Sequence, residues 1–179
     1  MSAPCRYEYT DACLTEKAVS APTFLRRPAE GALLTEQPAQ KIDVPLARRT
    51  MTIQFVGEKP AWLDTTAQTM RRLSRLPANW SSYGSSHIED AAIISAASFL
   101  IIVLGPRGLA PTVVPTLQGG VQLEWHRNGV DIEIEFSPQG ALADAYVYER
   151  QTDTTWEPEH IAWDAYQRLR SSINRLGQR

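Results

Sequence analysis

The segment Val121-Gln-Leu-Glu-Trp-His-Arg-Asn-Gly-Val-Asp-Ile-Glu-Ile-Glu-Phe136 constrains this chain more than any other. Apolar and polar residues alternate on both sides of Asn128-Gly129. A type I′ turn needs positive φ at both central residues, which Asn-Gly accepts at small steric cost, so the alternation is expected to fold back as a hairpin. With a two-residue turn, Arg127 faces Val130 and every other pair follows. Side chains alternate along a strand, so Leu123, Trp125, Ile132 and Ile134 share one face. Gln122, Glu124, His126, Asp131, Glu133 and Glu135 share the other.

The flanking segments extend this hairpin into a meander. Thr112 to Thr116 reads as a first strand, with Pro115 marking it as an edge because proline cannot donate to a ladder. Leu117-Gln-Gly-Gly120 is the turn into the hairpin. Ser137-Pro-Gln-Gly140 is a four-residue turn into a last strand, Ala141 to Glu149. On that count Phe136 faces Ala141, and Ile134, Ile132 and Val130 meet Ala143, Ala145 and Val147 on the core side. The opposite face then carries three rows: Gln122 by Glu135 and Leu142, Glu124 by Glu133 and Asp144, and His126 by Asp131 and Tyr146. Opposed like charges cost a sheet up to about 1 kcal/mol each. A row of three carboxylates therefore calls for a cation, a basic partner or full solvation.

Helices are expected around this sheet. Pro60 suits a first turn, and Leu63, Ala67, Met70 and Leu73 follow at helical spacing, with Arg71, Arg72 and Arg75 on the polar side. Those arginines are either a solvated face or a seat for acids, this protein's own sheet included. Ser86-His-Ile-Glu89 fits a capping box. The helix it opens runs to Leu104, is apolar nearly all round and should be the central helix. Gly105-Pro106 ends it, with glycine free to take a left-handed cap. Glu157-Pro158-Glu159 reads as the acidic first turn of a closing helix whose stripe is Ile161, Ala165, Leu169, Ile173 and Leu176. Met51 to Val56 is a plausible short strand. Residues 1–50 hold five prolines and no sustained periodicity, so they read as a flexible arm, which Met51 as an alternative start would make dispensable. The expected organisation is an arm over 1–50 and one α+β domain over 51–179, with a four-stranded antiparallel meander packed on one face by about three helices.

Charge narrows the function. The net charge is −2, yet residues 112–164 hold two Lys/Arg against ten Asp/Glu. That concentration opposes direct nucleic-acid binding, since phosphate contacts need Lys and Arg. It favours a basic protein partner, or imitation of nucleic acid toward a protein that binds it. Cys5 and Cys13 lack metal-ligand spacing, and there is no signal peptide pattern. The longest apolar run, Ala91 to Leu104, is too short to span a bilayer. A cytoplasmic protein without membrane attachment is expected. Walker, Rossmann, His-Glu-x-x-His and zinc-type patterns are absent from the sequence, so no cofactor and no metal site are assigned. Ser81, Ser82, Ser85 and Ser86 surround Tyr83 and His87 without a nucleophile elbow, and His87 and His160 read as first-turn surface residues.

The stretch Leu76-Pro-Ala-Asn-Trp80-Ser-Ser-Tyr83-Gly84, followed by an apolar helix and then Gly119-Gly-Val-Gln-Leu-Glu-Trp125, resembles a family of small bacterial proteins of no assigned activity. Its marks are a Leu-Pro-x-Asn-Trp-Asp-x-Tyr-Gly-Ala loop and a Gly-Gly-x-x-Leu-Glu-Trp strand, matched here over about residues 60–150. Ser81 stands where aspartate is common and Ser85 where alanine is, so a role for that aspartate does not carry over. The resemblance implies a bacterial or mobile-element origin and an accessory protein rather than a metabolic enzyme. The expected function is non-enzymatic protein binding, of the antitoxin, immunity or anti-defence kind. Glu124, Asp131, Glu133, Glu135, Asp144 and His126 would meet a basic partner, with Trp80 and Tyr83 as further anchors. Two alternatives stand beside it. One is a metal-dependent hydrolase using Glu124, Glu133, Asp144 and His126; the other is a structural subunit docking through the Trp80-Tyr83 loop.

Overall fold

The computed structural model describes residues 38–158 and 163–177. Among these, seven strands and three helices form an α+β fold with two antiparallel sheets. The larger sheet is a five-stranded meander: β3 (Thr112–Pro115), β4 (Val121–Arg127), β5 (Val130–Phe136), β6 (Leu142–Glu149) and β7 (Thr154–Trp156), in that order. The expected central hairpin forms with its expected register, Arg127 opposite Val130 through to Gln122 opposite Glu135. Asn128 and Gly129 both take positive φ, at 55° and 74°. Leu123, Trp125, Ile132 and Ile134 are all buried, which makes their face the core wall.

The fifth strand was not expected. β7 has three residues, too few to show alternation, and pairs with Val147, Tyr148 and Glu149 at the sheet edge. A strand this short takes its place from its partner rather than from its own pattern.

Two helices close the core side of the sheet. α2 (Asp90–Val103) lies against it, with Phe99 edge-on to Phe136 at 5.7 Å between centroids. Nine of its residues are buried, while Ala91, Ile94, Ser95, Ser98 and Ile102, at helical spacing, form its one less buried side. α3 (Trp163–Leu176) buries Leu169, Ile173 and Leu176, sets Tyr166 beside Phe99, and ties Arg175 to Glu149 at 2.7 Å. Its expected beginning at Glu157-Pro158-Glu159 runs into residues 159–162, which with Ile161 and His160 lie outside the described residues. α1 (Leu63–Leu73) touches β3 and the first strand, and turns Leu63, Ala67, Met70 and Leu73 inward as the spacing predicts.

Both expected caps of α2 are corrected. The residue before the helix is Glu89, in extended conformation with no side-chain cap, so Ser86 does not close a capping box. The amides of Ser86 and Glu89 donate instead to the carbonyls of Leu117 and Gly119, holding 86–89 alongside the turn before β4. The approach is tight: a Cβ on Gly119 would sit 2.6 Å from the His87 carbonyl oxygen. At the other end Leu104 is extended and Gly105 does not take positive φ, because the chain leaves the helix directly toward Trp62, whose indole N–H donates to the Gly105 carbonyl.

The boundary expected at residue 50 divides a hairpin. β1 (Gln40–Pro45) pairs with β2 (Thr50–Phe55) in a separate two-stranded sheet. Val44 and Leu46 are buried with Met51, Ile53 and Phe55 in the same core cluster as α1 and α2. Pro45 sits at the strand end, where its missing N–H is tolerated. Residues 40–46 therefore belong to the core rather than to an arm. The rest of the expected arm, residues 1–37 with Cys5 and Cys13, lies outside the described residues. No helix among the described residues is long and apolar enough to cross a membrane.

Candidate partner-binding face

The open face of the five-stranded sheet is built by strand alternation alone. Over residues 121–125, 132–136 and 145–147 every second residue enters the core, and the residues between emerge on the other side. Glu124, Asp131, Glu133 and Glu135 are half-buried, His126 and Asp144 exposed, as neighbours in an uncovered sheet shade one another. Both α2 and α3 meet the sheet through residues of core-face parity. All six expected contact residues of the sheet therefore share one face.

Their rows differ from expectation. The row of Glu124, Glu133 and Asp144 does not form. Glu133 faces Tyr146, Asp131 faces Tyr148, and Asp144 faces Glu135. Two one-residue offsets add up. Ser137 and Ala141 pair directly, so the turn holds three residues rather than four and Phe136 meets Leu142. A bulge then places Ala143 between the Leu142 and Asp144 pairs, shifting the register once more. One slip would have turned β6 inside out; two restore the parity and move each pair by two residues. The observed rows are Val114–Gln122–Glu135–Asp144, Thr112–Glu124–Glu133–Tyr146 and His126–Asp131–Tyr148–Thr155. The alternative hydrolase site required Asp144 beside Glu133, and this register separates them.

Electrostatically the face is two carboxylate pairs rather than one triplet. Glu124 and Glu133 oppose each other and have local donors. The Gln122 amide donates to Glu133 at 2.9 Å, and the His126 ring lies 3.6 Å from Glu124. Glu135 and Asp144 have no ion pair among the described residues; Asp144 accepts only the Ala145 amide, at 2.8 Å. His126 is held 2.9 Å from Asp131, and that hydrogen bond, with the charges of Asp131 and Glu124, raises its pKa above the usual value. Tyr148 donates to Asp153 at 3.2 Å, which raises the pKa of its phenol. Among the rows there is no lysine or arginine.

Tyr146 and Tyr148 belong to this face and were not among the expected contacts. Their parity with Asp144 is the available signal, and the shorter turn with the Ala143 bulge sets which acids they flank. No group of three His, Cys, Asp or Glu side chains among the described residues is arranged to hold a metal ion. The concavities beside the sheet are lined by other residues: one by Asn128, Thr152 and Arg175, another by Trp62, Leu109 and Arg127.

Trp80 and Tyr83 separate in the structure. Their loop is tightly ordered, with Asn79 and Ser82 at positive φ. The Asn79 side chain accepts the Gly84 amide at 2.8 Å, and buried Ser85 accepts the Ser81 amide at 3.1 Å. Trp80 is partly buried against the core and its indole donates to the Ser86 carbonyl, so it pins the loop instead of projecting from it. Tyr83 projects, at 89 % exposure. Arg71, Arg72 and Arg75 stand exposed on α1 and form no ion pair with any acid among the described residues, this sheet's included.

A constellation absent from the sequence-based expectations lies at the start of α2. The Arg48 backbone amide donates to Asp90 at 3.0 Å, its guanidinium pairs with Glu89 at 2.9 Å, and His87 joins both. This clamps the β1–β2 turn to the helix start; 41 residues separate Arg48 from Glu89, so no local spacing could signal it. Compared with protein families, curated proteins and solved structures, the chain matches none.

Proposed function

We propose that this chain is a non-enzymatic accessory protein that binds a basic protein surface with the open face of its meander. The observation that carries this reading is the composition of one sheet face. Five carboxylates and two tyrosines occupy adjacent rows, with one histidine and no lysine or arginine among them. Along a strand the acids recur about every 7 Å, and across strands about every 5 Å. A basic surface at that spacing would relieve the repulsion within Glu124–Glu133 and Glu135–Asp144, while the tyrosine rings offer arginine a planar face to stack on. A regular anionic array of this kind also suits imitation of a nucleic acid toward a protein that binds one. An antitoxin, immunity or anti-defence role is the kind of accessory function that such an acidic surface would serve.

Exposed Tyr83, on a loop fixed by side-chain-to-backbone bonds, supports a second contact at the sheet's end. Trp80 supports it from within rather than by touching the partner.

Affinity capture with the full chain tests the reading. Charge-led binding should weaken steeply as salt rises from about 0.1 M to about 1 M, where the screening length falls from about 10 Å to about 3 Å. The Glu124→Lys, Glu133→Lys double variant should lose the captured partner while melting no earlier than the parent chain. Unchanged capture by that variant rejects the proposal.

A further inference from the structure

The acid-rich sheet face is one half of a charge pattern whose other half lies on α1. Gln68, Arg71, Arg72 and Arg75 follow at spacings of three, four and seven, so they form one stripe along the helix. The opposite side of α1, from Leu63 through Ala67, Met70 and Leu73, is buried, so the stripe points away from the core. The three guanidinium groups are exposed and form no ion pair among the described residues, although arginines at 71 and 75 repel each other as like charges one turn apart. The carboxylates that would relieve them lie on the outer face of the sheet, while α1 packs on the core side against β1 and β3. Within one molecule the two surfaces cannot meet.

We propose that they meet between molecules: the arginine stripe of α1 seats on the open sheet face of a second copy of this chain. The geometry fits. The helix rises about 6 Å from Arg71 to Arg75, and successive open-face acids on a strand, such as Glu133 and Glu135, stand about 7 Å apart. Arg71 and Arg75 can therefore reach successive rows. Arg72 lies one residue along from Arg71, on the same stripe, and falls toward the neighbouring strand. Tyr146 and Tyr148 lie in those rows beside Glu133 and Asp131, where guanidinium planes can stack. The stripe and the open face lie on opposite sides of the molecule, so two copies cannot make both contacts at once and the contact is head-to-tail. It does not close at a dimer but continues to a ring or an open chain of copies. This inference rests on the open face being an acceptor of basic surfaces, and names which one.

Light scattering of the full chain across a concentration series tests it. At low salt the mean mass should climb past about twice the 20.0 kDa of one chain, and at about 1 M salt it should return to 20.0 kDa. Arg71→Glu, Arg72→Glu, Arg75→Glu should be monomeric, as should Glu124→Lys, Glu133→Lys. An equimolar mixture of the two variants should associate again, because each now complements the other. Melting curves establish that both variants fold, and Arg→Gln at the three positions replaces the reversal if it does not. A wild-type chain that stays at 20.0 kDa at low salt overturns the inference, as does a mixture that stays monomeric. A synthetic arginine-rich peptide separates this from the broader reading. If the peptide binds wild type and not Glu124→Lys, Glu133→Lys while wild type remains monomeric, the face binds basic surfaces but not this one. If the peptide binds neither, both proposals fall. Binding of a DNA duplex through the α1 arginines, without self-association, also overturns the second-copy assignment.

Discussion

The two faces of the five-stranded sheet are made by the same strands, residue by residue, and they do opposite work. On the closed side Leu123, Ile132 and Ile134 are fully buried, and α2, α3 and the β1–β2 hairpin add to one continuous core. On the open side the intervening residues oppose carboxylate to carboxylate. A chain selected for stability alone would have no use for those pairs, since each costs up to about 1 kcal/mol. The contrast teaches that stability and recognition are separable here by odd and even position, and mutation can test that separation.

The largest effect should come from the closed side's outermost layer. A chain beginning at Met51 lacks β1, and with it Val44 and Leu46, which leaves Met51, Ile53 and Phe55 without their cover. Two lost buried aliphatic side chains alone amount to about 3–6 kcal/mol, against a total stability of about 5–15 kcal/mol. The Arg48 clamp on Glu89 and Asp90 goes with them. Circular dichroism should show this truncated chain largely unfolded at 25 °C. A cooperative melt near that of the full chain would show that the closed side ends at the helices.

Neighbouring residues in β5 should differ next. Ile132→Ala, at a fully buried position, should cost about 2–5 kcal/mol. Glu133→Gln, one residue along, removes one member of an opposed pair and should be neutral or stabilising by up to about 1 kcal/mol, while weakening capture of a basic partner. Denaturant midpoints of the two variants decide it. Equal losses at both positions would break the contrast between the faces.

The hairpin at Asn128-Gly129 was legible to the residue, because a turn with a steric requirement fixes both its length and its register. The next junction was not. Ser137-Pro-Gln-Gly140 signals a turn, but its composition does not say whether three or four residues are looped out, and the Ala143 bulge has no signature in an Ala-Asp-Ala context. Parity survived because the two offsets add to an even number, so which residues share the open face was readable, as was Glu124 opposite Glu133, while the pairing of β5 with β6 was not. The hairpin of 40–55 was missed for a different reason. Pro45 and the charged residues at 48 and 49 look like arm composition locally, and only the long-range cover of Val44 and Leu46 makes the segment structural. Ser86 and Glu89 carry a capping signature that a tertiary contact, the turn at 117–119, overrides. Trp80 and Tyr83 illustrate the same limit, since two aromatics three residues apart give no hint of which one a loop turns inward.

His126 should give the smallest effect and the sharpest one. Its raised pKa comes first from the hydrogen bond to Asp131, then from the charges of Asp131 and Glu124, so the folded protein favours the imidazolium. The stability this provides is complete below the ordinary histidine value of 6.5 and is lost as pH rises through the higher folded value. With the side chain 49 % exposed, solvent screening keeps the contribution minor. Partner binding should move the other way. The imidazolium offsets part of the negative charge of the face, so a basic ligand should bind more tightly once pH exceeds that folded value. Titrating an arginine-rich peptide onto wild type and onto His126→Gln at a series of pH values above 6.5 should show affinity rising with pH only in the wild type. Parallel curves for the two proteins would mean that the ligand does not sense this end of the face, and would place the contact on the Glu135–Asp144 side instead.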